Sequence, residues 1–271
     1  MDAATKPNHF RKCAAVTKGI PPNLMCNFAE AEAEVRALER EGKLSLKDYV
    51  DSDCADNDNI RECDNHLHCA RHEAPAAGAG PCDVHGVVGG VCSHGIPLKG
   101  MFIDMHGPEQ FIYYLVMLKT LLKHCPTIKA VYVDFACRLK VTWQRFVAKQ
   151  KDRFFTTEAE ASAAKDLRLI VNWMHGSSHN LSCQLQNNGR YTIGAGRRHG
   201  EGSEQLWSML KAAATLMRYM KHSHRREWLE AILSMIAADK LPGLAKLLDQ
   251  RYNHILALMG KYRGASGGTR D

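Results

Sequence analysis

The chain has 271 residues, of which 45% are hydrophobic and 24% charged, so it can bury the core of one large domain or two small ones. A formal net charge of +7 allows a nucleic-acid partner without requiring one, because many enzymes carry a similar surplus. The apolar runs are too short and interrupted to span a bilayer, and the first residues lack the apolar stretch of a signal peptide. Composition therefore predicts a soluble protein that is neither secreted nor inserted in a membrane.

The first residues, 1–60, predict an N-terminal extension with little regular structure apart from one charged helix that runs from Ala29 to Gly42. A Cys/His-rich and then Ala/Gly-rich stretch follows from Cys63 to Pro81 and also lacks periodicity. This stretch opens the central region, 61–220, which we expect to form the main domain.

Regular patterns begin at Cys82. The segment CDVHGVVGGVCSHGIPLKGMFIDM predicts short strands with glycine turns, and PEQFIYYLVMLKTLLKHC has the broad apolar face of a helix. A buried strand in KAVYVDFACRL, a helix in VTWQRFVAKQKDRF, a strand in DLRLIVNWMHG and a helix in GEGSEQLWSMLKAAATLMRYM follow in turn. Two further helices, around REWLEAILSMIAADK and LAKLLDQRYNHILALM, predict a helical C-terminal region, 221–271.

This order of elements predicts an α/β fold. It is the order of a ribonuclease-H-like mixed sheet flanked by helices, here with a helical C-terminal extension. Other α/β folds have a similar order, so the element order alone leaves the choice open.

Three acidic residues fall where open α/β sheets place their sites, at strand ends and helix starts. Asp83 lies in the first strand region, Asp134 ends the strand AVYVD, and Glu201 opens a helix. A carboxylate after a buried strand is costly unless it is compensated, and divalent cations bound by oxygen ligands would compensate it. Each of the three could instead cap a helix or turn, and we expect other nearby acids to be solvated or structural: Asp104, Glu109 and Glu204.

The same residues lie in four blocks that resemble the Kyakuja-Dileera-Zisupton (KDZ) transposases, a group of DDE-type DNA transposases. The blocks are CDVHGVVGGVCSHGIPL, VYVDFACRL, WMHGSSHNLSCQ and GAGRRHGEGSEQLWSML, and they occur in the family's order over roughly residues 60–220. The resemblance implies that Asp83, Asp134 and Glu201 are a catalytic triad that binds two Mg²⁺ or Mn²⁺ ions.

The resemblance also implies an activity. A DDE enzyme hydrolyses DNA phosphodiesters and transfers strands with the help of paired metal ions. DNA would be the partner. The protein would act in the nucleus or else in the cytoplasm, and a homo-oligomer is compatible with this activity. Two alternatives remain: a truncated or domesticated descendant that binds DNA or protein without catalysis, and a Cys/His zinc-binding module.

The spacing of cysteines and histidines is also compatible with zinc as a second metal. His175, His179 and Cys183 follow one another at intervals of four, so on one helix they would share a face. They are either zinc ligands or a packed, hydrogen-bonded motif. A small zinc knuckle is a further alternative for the cluster Cys63, His66, Cys69, His72, Cys82 and His85.

Basic and aromatic residues complete the prediction. Trp207 is expected to anchor its helix in the core rather than to stack on a base. Arginines and a lysine near the third acid and in the run KHSHRR are candidates for contacts with DNA phosphate: Arg197, Arg198, Lys221, Arg225 and Arg226.

Overall fold

The computed structural model describes residues 2–4, 9–10, 24–25, 33, 37, 82–106, 109–150, 155–196 and 198–265. The predicted Cys/His stretch at Cys63, His66, Cys69 and His72 lies outside these residues, as does Arg197. Within the helix predicted from Ala29, the structure describes Ala33 and Ala37, and both are helical.

The strands that precede the first described long helix are short and antiparallel. They are β1 (Asp2–Ala4), β2 (His9–Phe10), β3 (Cys82–Val84), β4 (Gly86–Val91) and β5 (Pro97–Met105). A tight turn joins β4 to β5, since Cys92 N–H donates to the Ile96 carbonyl over 2.9 Å and Gly95 adopts a φ of 76°. The resulting hairpin forms a sheet in the order β1-β4-β5, and β2 pairs with β3.

A layer of helices and one parallel strand pair follows. Its elements are α1 (Phe111–His124), β6 (Ala130–Tyr132), α2 (Ala136–Gln150), α3 (Glu158–Asp166) and β7 (Arg168–Ile170). Helix α1 is apolar all round and is buried from Ile112 to Leu118, so it forms the centre of the hydrophobic core. Strands β6 and β7 are parallel, and Val131 lies opposite Leu169.

The C-terminal third is helical. It contains α4 (Trp173–Gly176), α5 (Leu181–Asn187), α6 (Gly202–Met217) and α7 (His222–Ala265). Helix α7 is one helix with Pro242 inside it, where the sequence predicts two. None of the helices in the described part of the chain is both long and apolar enough to cross a membrane.

The mixed α/β class, the order of elements from Cys82 onward and the C-terminal helix agree with the prediction from sequence. The described strands form three small sheets, β1-β4-β5, β2-β3 and β6-β7, rather than one mixed sheet. The ribonuclease-H-like arrangement therefore stays a prediction, and so do the domain boundaries.

A buried ion pair ties α7 to β5. The guanidinium of Arg225 is fully buried and donates to Asp104 Oδ1 over 2.6 Å. Burial by itself would raise the pKa of Asp104, but the charge and hydrogen bond of Arg225, together with Arg226 and His222, hold that pKa below its ordinary value. The prediction that Arg225 contacts DNA phosphate is wrong for this structure, because its guanidinium is inside the protein and already paired.

We expect Asp104→Asn to destabilise the protein by roughly 3–5 kcal/mol at neutral pH, because it leaves the buried Arg225 charge unpaired. Because the pKa of Asp104 is lower in the folded than in the unfolded chain, its charge stabilises the fold above the unfolded-state pKa of about 3.9. This stability is lost as the pH falls through the pKa of the folded state. The difference in unfolding free energy between wild type and variant should therefore shrink below about pH 4. Urea unfolding at several pH values measures this difference.

Asp239→Asn, at an exposed site on α7, is the matched control and should change the unfolding free energy little. A small, pH-independent effect of Asp104→Asn would contradict the prediction.

Candidate functional site

The site lies where the two parallel strands end. Val133 continues the ladder beyond β6, since its N–H donates to the Ile170 carbonyl over 2.9 Å. Asp134 comes next, with its side chain 15% exposed, before α2 begins at Ala136. The segment that follows β7 leads directly into α4. Because β6 and β7 are parallel, their carboxyl ends bring Asp134 and α4 to the same edge.

The start of α6 is placed against the same edge. Trp173 N–H donates to the His199 carbonyl over 2.9 Å, and Met174 N–H donates to Glu201 Oε1 over 2.9 Å. Gly200 precedes Glu201 with a φ of 83°, and a Cβ at this position would lie 2.5 Å from Tyr132 Cδ1. Only glycine fits this close approach without movement of the tyrosine ring or the backbone, which explains one glycine of the run before α6.

His175 bridges two carboxylates. Its Nδ1 lies 3.2 Å from Asp134 Oδ2 and its Nε2 lies 2.8 Å from Glu204 Oε1. One ligand atom from each of these three residues lies within 4.8 Å of the others. A neutral imidazole has only one N–H, so one of the two contacts needs a further proton or a cation between the ring nitrogen and the carboxylate.

Two carboxylate oxygens at this edge are buried without a hydrogen-bond partner: Asp134 Oδ1 and Glu201 Oε2. A fourth acid, Glu109, feels the charge of Asp134. Burial raises the pKa of Glu109, the hydrogen bond from Tyr114 opposes this effect, and the Asp134 charge adds to it. Orphaned carboxylate oxygens are costly in a protein and are the ligands that Mg²⁺, Mn²⁺ and Ca²⁺ prefer, so the residues present fit a hard divalent cation.

The predicted acids do not all join this group. Asp83 lies in β3, its carbonyl accepts from His106 Nδ1 over 2.9 Å, and its carboxylate lies 4.0 Å from His222 Nδ1. Asp83 and Glu201 belong to neither of the two groups of metal-type ligand atoms in the described residues. Glu204, which the sequence suggests is solvated or structural, lies in the group with Asp134. Its spacing of three from Glu201 on one helix is the signal that could have identified it.

The predicted His175, His179 and Cys183 set is divided between two clusters. Helix α4 ends at Gly176 and Asn180 caps α5 by accepting from Cys183 N–H over 2.8 Å, so the three residues do not share one helical face. His175 faces the carboxylates. His179 and Cys183 lie instead with Cys137 of α2 in a second group, which is buried.

A cavity of about 590 Å³ opens beside Glu201. Arg198 and Arg251 line it together with His94. Arg198 Nη1 donates to the Ser93 carbonyl over 3.2 Å, which positions its guanidinium at the cavity wall. Burial, and next the charge of Arg251, hold the pKa of His94 below its ordinary value. We call the group of Asp134, Glu201 and Glu204 with the bridging His175 the acidic edge. The cavity thus places two cationic groups near this edge.

The remaining predicted residues lie around these features. Lys221 is exposed and Arg226 is half-buried at the start of α7. Trp207 packs edge-on against Phe102, with ring centroids 6.3 Å apart, at the border of the hydrophobic core.

Comparison with known proteins places this chain in a family. The family model of the Kyakuja-Dileera-Zisupton transposases matches residues 5–236, which is most of the chain and includes every residue of the acidic edge. No curated protein and no solved structure matches the chain. The chain belongs to the KDZ (Kyakuja-Dileera-Zisupton) transposase family.

Proposed function

We propose that the chain is the catalytic domain of a DDE-type DNA transposase that hydrolyses and transfers DNA phosphodiesters with Mg²⁺ or Mn²⁺. One observation carries the proposal: Asp134, His175 and Glu204 converge within 4.8 Å at an edge where Asp134 and Glu201 each keep a buried, unpartnered oxygen. DNA is then the partner and the nucleus the place of action.

The acidic edge would hold the ions with oxygen ligands from Asp134, Glu201 and Glu204. Asp83 is the fourth proposed ligand, by the resemblance of its sequence block. When bound, a pair of such ions would supply activation of the attacking hydroxyl and stabilisation of the leaving oxygen. A ligand set of carboxylates suits this chemistry because hard cations take oxygen donors.

The protein's own groups orient these ligands. The Met174 N–H fixes one oxygen of Glu201, and the other, Oε2, is buried without a hydrogen-bond partner. His175 holds Asp134 and Glu204 at opposite nitrogens of one ring, so it sets the distance between their carboxylates. We assign His175 as a positioning residue.

The cationic cavity beside Glu201 would hold the DNA backbone. Arg198 and Arg251 lie on its wall, and guanidinium groups bind phosphate through paired N–H donors. A phosphate held there would lie next to Glu201, which itself lines the cavity.

A second candidate is a descendant that binds DNA without catalysis. The observation that favours it is the position of Asp83, whose carboxylate lies 4.0 Å from His222 and is absent from the acidic group. The two candidates differ in whether the bound DNA is cut.

We expect Asp134→Asn and Glu201→Gln each to reduce Mn²⁺-dependent nicking of end-containing DNA at least about 100-fold, because each removes a carboxylate ligand of the ions that would stabilise the reacting phosphate. A nicking assay on purified full-length chain measures this, with DNA binding followed by gel shift. Asp166→Asn, at an exposed site at the end of α3, is the control and should nick normally. DNA binding by the wild type with no nicking in Mg²⁺ or Mn²⁺ would support the non-catalytic candidate instead.

Ion binding can be measured apart from activity. We expect titration calorimetry with Mn²⁺ to detect binding to the wild type, and Glu204→Gln to weaken it because Glu204 belongs to the converging group. His175→Gln should also weaken it, since it removes the ring between the two carboxylates. Unchanged Mn²⁺ affinity in Asp134→Asn, Glu201→Gln and Glu204→Gln would show that the acidic edge is not the metal site.

The cavity arginines should act on DNA affinity. We expect Arg198→Gln and Arg251→Gln each to weaken binding to DNA of any sequence and to reduce the slope of log K against log [salt] by about 1, as for one lost phosphate contact. Fluorescence anisotropy at several salt concentrations measures both quantities. Lys165→Gln, which replaces an exposed lysine outside the cavity, serves as the control. An unchanged salt slope in both arginine variants would contradict the assignment.

A further inference from the structure

A second cluster of metal-type ligands lies in the core, apart from the carboxylates. It consists of Cys137, near the start of α2, His179, just before α5, and Cys183, within α5. Each residue is at most 5% exposed. Neither the proposed catalysis nor the acidic edge uses these three side chains.

The atoms of this cluster converge on one point. His179 Nδ1 lies 3.3 Å from Cys183 Sγ and 3.7 Å from Cys137 Sγ, and the three ligand atoms all lie within 4.8 Å of one another. A tetrahedral zinc ion with Zn–N and Zn–S bonds of about 2.0 and 2.3 Å places its nitrogen and sulfur ligands about 3.6 Å apart. The two observed distances lie on either side of this value.

Hydrogen bonding alone explains the arrangement less well. A neutral imidazole nitrogen has either one lone pair or one N–H, so it forms one good hydrogen bond in its ring plane and cannot serve two sulfur atoms equally. Asn187 Nδ2 also donates to Cys183 Sγ over 3.4 Å, which makes this sulfur an acceptor, as a thiolate bound to a metal would be.

We infer that Cys137, His179 and Cys183 bind a Zn²⁺ ion through two thiolates and the Nδ1 atom of the imidazole. Three protein ligands leave a fourth position that water takes in sites of this kind. Sulfur ligands select zinc over Mg²⁺ and Mn²⁺, so this ion is distinct from those proposed at the acidic edge.

The position of the cluster gives the ion a structural role. Cys137 lies three residues after Asp134, and His179 lies four residues after His175. An ion bound by Cys137 and His179 would link the two segments that carry Asp134 and His175. We therefore expect zinc to hold the acidic edge together and to contribute to folding stability.

The test is the metal content of the full-length chain, purified without added metal and measured by mass spectrometry. The Cys/His stretch near Cys63 can bring zinc of its own, so the informative quantity is the difference between variants. We expect the double variant Cys137→Ser/Cys183→Ser to lose one equivalent of zinc relative to wild type. Cys125→Ser, at an exposed free cysteine, is the matched control and should lose none.

A conservative variant separates ligand loss from misfolding. His179→Ala should lose the same equivalent, whereas His179→Cys keeps three ligands and should retain it, with a melting temperature above that of His179→Ala. Co²⁺ exchanged into the wild type should show thiolate-to-cobalt charge-transfer absorption, and the part of this absorption due to the cluster should be missing in the double variant.

Equal zinc content and equal cobalt absorption in the wild type and in a folded double variant would overturn the inference. The inference would also be overturned if His179→Cys lost the zinc equivalent while the double variant kept it. If the double variant does not fold, His179→Ala and His179→Cys decide: equal zinc content in these two also overturns it. These measurements use neither DNA nor Mn²⁺, so a failure of nicking leaves their result unaffected.

Discussion

The parallel pairing of β6 with β7 is the contact on which the candidate site depends. Each strand has only three residues, yet the pair brings the chain after Tyr132 and the chain after Ile170 to the same edge. Val131 and Leu169 lie opposite each other and are both buried, which fixes the register. A slip of one residue would turn these side chains out of the core and would move Asp134 away from α4.

The charge at this edge is unbalanced in the protein alone. Asp134 and Glu204 contact His175 from opposite sides, and Glu201 accepts from the neighbouring Met174 N–H. Burial is the main cause of the raised pKa of Glu109, and the charge of Asp134 adds to it. The cation Arg225 is paired with Asp104 inside the protein. An excess of negative charge of this kind is stabilised when cations from solution bind to the carboxylates, as in sites where divalent ions act on phosphate.

The sequence predicts the features of this site that depend on local pattern. Asp134 was identified because a carboxylate follows a buried strand, and Glu201 because glycine and then helical spacing surround it. The partners of these residues depend on tertiary contacts and were missed. Glu204 resembles any first-turn acid, and the bridge from His175 exists only once α6 packs against α4. The regular spacing of His175, His179 and Cys183 was misleading because the Asn180 cap starts a new helix between them.

Residues far apart in sequence explain the other differences. Arg225 lies in the basic run KHSHRR, which is typical of a solvated surface, and its partner Asp104 is 121 positions away. Helix α7 continues through the exposed Pro242, although proline usually ends a helix, and no contact in the described structure explains this. The predicted single mixed sheet and the place of Asp83 in the triad stay predictions, since both depend on how the three small sheets relate to one another.

The two clusters draw on the same two segments of chain but differ in chemistry. One segment carries Asp134 and then Cys137, and the other carries His175 and then His179 with Cys183. In both, the first residue goes to the half-buried acidic group and the later ones to the buried sulfur-containing group. Oxygen ligands at a partly exposed edge suit ions that exchange with solvent and substrate, whereas sulfur ligands in the core suit an ion that stays. Because the same two segments carry both clusters, we expect a change in the core cluster to shift the ligands of the acidic edge.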